Sequence, residues 1–176
     1  MLWLSWESGR SESGAVMKNL YEAAAAVLAS IFLFSILVLI HPSLVLVINP
    51  FALAVIYLAI VKGEVFGAAA GTACGLVQDA FSMGVFGHAG LTKTLMGFLA
   101  GSISRKINIA PFSRRFLFAF LLSAGELALW TGLDQLLSAG RASFGSEWIL
   151  LQPPAVALAV GLAFHIPGWF KARRKS

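Results

Sequence analysis

Charged residues are scarce in this chain. Only 12% of its 176 residues are Asp, Glu, Lys or Arg, about half the share usual in soluble domains. With 59% hydrophobic residues, a soluble fold would carry large exposed apolar patches and aggregate. The soluble globular class is therefore excluded. Cysteine is scarcer still. Cys74 stands alone, which rules out an internal disulfide and fits no metal-ligand pattern; it reads as a small packing residue. Catalytic signatures are missing as well: no G-x-S-x-G elbow, no phosphate loop and no H-E-x-x-H pair. The three histidines, His41, His88 and His165, are far apart in the chain. A non-enzymatic protein without metal or cofactor is expected. A cleavable signal peptide is not, because Met1 to Asn19 carries polar and acidic residues before any long apolar run.

What is present is a succession of apolar runs, several of them reaching the ~17–25 residues that a spanning helix needs. The expected fold is all-α, a polytopic membrane bundle of six transmembrane helices over residues 20–170. A flexible cytoplasmic tail (1–19) precedes it and a basic cytoplasmic tail (171–176) follows. The spans are placed at about 20–40, 44–61, 65–80, 89–104, 115–137 and 153–170. Asn49-Pro50 should kink or break the second, leaving carbonyls that neighbouring groups must satisfy. The third and fourth are short for a ~30 Å hydrocarbon core. Residues 138–150 form the longest connection, with Trp148 placed as an interfacial anchor. Met17-Lys18 offers an alternative start, which leaves open whether residues 1–16 belong to the natural product.

Basic residues set the orientation. With six spans, every Lys and Arg except Lys93 and Arg141 falls on one side, so both termini are expected in the cytoplasm. Charge distributed in this way follows topology and argues against a nucleic-acid partner. Lipid is the expected surroundings, and Lys171, Arg173, Arg174 and Lys175 should attract anionic headgroups.

The third and fourth spans hold the distinctive pattern. Gly63, Gly67, Gly71 and Gly75 recur every fourth residue and form one smooth helical stripe. Gly97 and Gly101 repeat the spacing in the fourth span. Such ridges let helix backbones approach closely within lipid; they serve either internal packing, which the tight bend between the spans favours, or an interface with a second copy of the chain. A Gly-rich bend with Gly84, Gly87 and Gly90 separates Asp79 from Lys93. A charge inside a span costs roughly 2.5–3.5 kcal/mol on insertion scales, so it faces protein and finds a partner. Asp79 and Lys93 are expected to clasp the two helices at their bend, or to bind a partner or substrate. Glu126, in the fifth span, reads as a hydrogen-bonded acid within the bundle, as part of a proton path, or as the alternative partner of Lys93.

The same stretch resembles the rod-shape-determining MreD family. The resemblance rests on Gly71-x-x-x-Gly75-Leu76-x-x-Asp79, then Phe86-Gly87, then TKTLMGFLAG from Thr92 to Gly101. Phe86 stands where the family has leucine and Phe98 where it has tyrosine, and Lys93 departs from the pattern. The resemblance implies a non-enzymatic membrane scaffold of the bacterial cell-elongation machinery in the cytoplasmic membrane. It implies partners too: MreC, the actin-like MreB, and the glycosyltransferase and transpeptidase of lateral peptidoglycan synthesis. It further implies a fold similar to the substrate-binding subunits (S-components) of energy-coupling-factor vitamin transporters. Such a subunit is the alternative function, with Ala25-x-x-x-Ala29 as the face presented to a coupling protein.

Overall fold

The computed structural model describes the backbone of residues 2–82, 86–107, 109, 111–137 and 150–173, and the side chains of these except 2–16, 19 and 165–173. Trp148, Arg141, the bend residue Gly84 and the side chains of the C-terminal basic cluster lie outside the described residues. Within them the secondary structure is helical, with no strand: α1 Leu2–Ile40, α2 Pro42–Val47, α3 Pro50–Lys62, α4 Glu64–Ser82, α5 His88–Lys106, α6 Phe112–Leu137 and α7 Gln152–Arg173.

Helix α1 begins at Leu2, so the backbone expected as a tail is helical. Ser and Gly lower its helix propensity, but no proline interrupts residues 2–40 and nothing forces a break. The second expected span is two helices. Asn49 stops α2, and its Oδ1 accepts from the Ala52 amide at 3.2 Å, which starts α3 with Pro50 in the first turn. His41 does the same for α2, its Nδ1 accepting from Ser43 at 3.2 Å. One residue, Gly63 at φ 98°, links α3 to α4; a side chain there would be strained and would also strike the Arg105 guanidinium.

Helices α1 and α3 run antiparallel, and so do α5 and α6. Phe34 of α1 packs at a tilt on Phe51 of α3, ring centroids 5.2 Å apart, while Glu22, midway along α1, pairs with Lys62 at the end of α3. Lys93 and Ala100 of α5 face Glu126 and the Ala119–Leu122 region of α6. Helix α3 is central, with Phe51, Val55 and Leu58 almost wholly buried. Ala52, Ile56 and Ala59 meet Met96, Leu122, Val156 and Val160 in the main core. A second cluster joins Phe51 and Val55 to Cys74, which is fully buried as the sequence leads one to expect.

The distribution of polarity is that of a membrane protein. Leu39 is 87% exposed, whereas Lys93 is 1% exposed; that inversion is stable only where the surroundings are apolar. Among the described residues, three helices are long and apolar enough to cross a membrane: Leu20–Ile40, Pro42–Lys62 taken across its break, and Phe112–Leu136. Six spans were expected. Helices α4 and α5 fall short on apolarity, because they hold Gln78, Asp79, His88, Lys93 and the glycines. At 19 residues each they are nonetheless ~28 Å long at 1.5 Å per residue. Helix α7 is apolar over Gln152–Phe164, the part of it whose side chains are described.

Candidate functional site

The site grows from the α4–α5 hairpin, whose backbones touch. A Cβ added at Gly67 would fall on the Gly97 carbonyl, one at Gly71 on the Lys93 carbonyl, and one at Gly75 on the Ala89 carbonyl. The reverse holds for Gly97 against Gly67 and for Gly101 against Glu64. The two glycine ridges therefore face each other within one chain, and the stripe on α4 serves internal packing. The hydroxyls of Thr72 and Thr94 bridge the same seam at 2.8 Å.

The expected Asp79–Lys93 ion pair does not form; this is a correction, and its reason lies in helix termini. Asp79 sits near the C-terminal end of its own helix, where the dipole disfavours an anion, but it abuts the N-terminus of α5, which attracts one. Its Oδ2 accepts from the amides of Gly87 and Gly90, each at 3.0 Å, and its Oδ1 from that of Ala89 at 2.9 Å. Three donors that a helix start leaves unsatisfied are thereby met by one carboxylate that is 5% exposed. Gly87 is the cap residue of α5 at φ 93°, a left-handed conformation that suits glycine. Asp79 thus holds the two helices together at the bend, as expected, but through backbone amides.

Lys93 points the other way, across to α6, and pairs with Glu126 Oε1. This was the alternative left open in the sequence. Gly71 is what permits it: with no side chain at 71, the backbone of Lys93 lies on α4 while its side chain crosses to α6. Burial makes the pair consequential, since the two side chains are 2% and 8% exposed. Gly125, beside Glu126, leaves room for the Met96 methyl.

His88 was not singled out in the sequence. Its Nε2 lies 3.0 Å from the Trp130 carbonyl oxygen, and its ring stacks on the Trp130 indole with centroids 5.3 Å apart. The contact ties the start of α5 to the last turns of α6. The available signal was a histidine directly after a glycine bend in an apolar chain, which calls for a buried partner.

Beside this polar centre lies a cavity of about 220 Å³ between α1, the α2–α3 break, α4, α6 and the start of α7. Its lining is mostly apolar, interrupted by Asn49, Gln78, Ser82, Glu126 and Gln152. At the opposite end of the hairpin Arg105 donates to the Lys62 carbonyl at 3.4 Å and lies 3.8 Å from Glu64. That end is locked by an exposed ion pair, which contributes little; the buried end dominates. Compared with known protein families, curated proteins and solved structures, the chain matches none.

Proposed function

We propose that the protein is a non-enzymatic, six-pass scaffold of the bacterial cytoplasmic membrane, similar in role to MreD, which holds an MreC-type single-span partner beside the machinery of lateral wall synthesis. One observation carries the reading. The residues that bear the resemblance, Gly71, Gly75, Asp79, Gly87 and Gly97, are the ones that close the α4–α5 hairpin, so the shared pattern corresponds to a rigid structural unit. Charges that are paired and capped inside that unit suit a framework better than a conduction path, which normally needs a relay of groups. Helix α1, whose apolar window is only 11% buried, leaves a long apolar face for a neighbouring helix. In this reading both termini are cytoplasmic, and MreB and the wall enzymes are reached through MreC.

The test is affinity purification of the full chain from its own membranes in mild detergent. An MreC-type protein should co-purify, and Gly71→Leu, stably expressed, should give rounded cells. Normal rods with that variant, or the absence of any such partner, would overturn the proposal. A transporter substrate-binding subunit is the second reading, favoured by the cavity under the broken second span and by the exposed Ala25 and Ala29 on α1. It predicts instead a complex with an ATPase module.

A further inference from the structure

The cavity beside the polar centre is not needed to explain a scaffold, and its lining is specific. We propose that it is a binding site for a small, flat heteroaromatic molecule that carries N–H donors along one edge.

Size comes first. About 220 Å³ is below the ~300–1,000 Å³ of drug-sized pockets, so it takes a single or fused ring rather than a lipid with its tails. Phe34 and Trp130 supply aromatic walls, and flat rings pack well on such faces.

Polarity comes second, and it includes an unmet acceptor. Gln78 Oε1 is buried with no hydrogen-bond partner, although a buried acceptor left unmade is costly. Glu126, held to Lys93 through Oε1, lines the same space. Gln152, 7% exposed, also borders the space. An amino-heteroaromatic edge would satisfy the acceptors on α4 and α6 together, while its ring fills the apolar remainder. Charge fits as well. Lys93 already balances Glu126, so the site suits a neutral or weakly basic ligand and offers nothing to an anion. The inference does not rest on the scaffold reading: the site would serve a regulated scaffold or a transporter subunit alike, and its failure would leave the partner test above unaffected.

The experiment is calorimetric titration of the full chain in lipid nanodiscs with 2-aminobenzimidazole and 4-aminoquinazoline, with naphthalene as a shape control lacking donors. One molecule per chain should bind saturably below about 1 mM, and naphthalene at least about tenfold more weakly. Gln78→Leu should weaken the amino compounds about tenfold and leave naphthalene unchanged. Because the Gln78 carbonyl has no partner to lose, the variant's unfolding midpoint should equal or exceed that of the parent. If Gln78→Leu fails to fold, Gln152→Leu is judged by the same criteria. No saturable binding of either amino compound, equal affinity for naphthalene, unchanged affinity in the variant, or a co-purified lipid that the probes do not displace would each overturn the proposal.

Discussion

Replacing Glu126 by alanine should be the most damaging single change in the bundle that leaves the backbone untouched. The carboxylate is the ion-pair partner of Lys93, whose side chain is 2% exposed, deep between α4, α5 and α6. Removing one member of such a buried pair costs about 3–5 kcal/mol, because the remaining charge is left in an apolar setting. That is a large part of the 5–15 kcal/mol by which a typical domain is stable. Removing both members is different: Lys93→Met with Glu126→Leu replaces the pair by apolar groups of similar size and should return stability to within about 1 kcal/mol of the parent, or above it. The assay is reversible unfolding in mixed micelles, followed by far-UV circular dichroism, for the parent, Glu126→Ala, and the cycle of Lys93→Met, Glu126→Leu and their double variant. The coupling energy from this cycle should reach about 3 kcal/mol. A Glu126→Ala protein within 1 kcal/mol of the parent, or a double variant as weak as the sum of the singles, would refute the buried clasp.

Gly71→Leu forces a side chain into the Lys93 carbonyl, and the same unfolding assay should register a loss of about 3 kcal/mol or more, beyond ordinary overpacking, because backbone rather than a side chain must move. Asp79→Ala strips the acceptors from three amides at the start of α5; a loss of about 2 kcal/mol or more is expected, and hydrogen exchange should quicken first at Gly87–Gly90. Cys74, fully buried, should resist a membrane-permeant maleimide in the native protein and react completely in denaturing detergent. Lys62 and Glu22 also pair, but Glu22 is 45% exposed at its side chain, so Glu22→Gln should leave the unfolding midpoint in the same assay almost unchanged.

The sequence by itself determined the class. Runs of apolar residues without charge dictate helices in lipid, because an unpaired backbone amide has no water to turn to there. The break at Asn49-Pro50 was equally legible, since proline cannot continue a helix and asparagine caps the next one. So was the meeting of glycine ridges on α4 and α5, given a short bend between two stripes of the same spacing. The extent of α1 was not legible, because weak helix formers without a breaker leave the boundary to context. Residues such as Gln78 and His88 reduce the apolarity of α4 and α5, and only burial among neighbours shows why they are tolerated.

Tertiary structure alone decided how the charges are used. Asp79, Lys93 and Glu126 were visible as the costly residues of three helices, yet one-dimensional spacing carries no information about rotation around a helix axis. Asp79 and Lys93 lie on different faces of the hairpin. The carboxylate met the free amides at the N-terminus of α5, the nearest donors at its depth, and the ammonium was turned by the contact at Gly71 towards α6. The cavity has the same origin: Phe34, Gln78, Glu126 and Gln152 come from four helices that only the packing brings together.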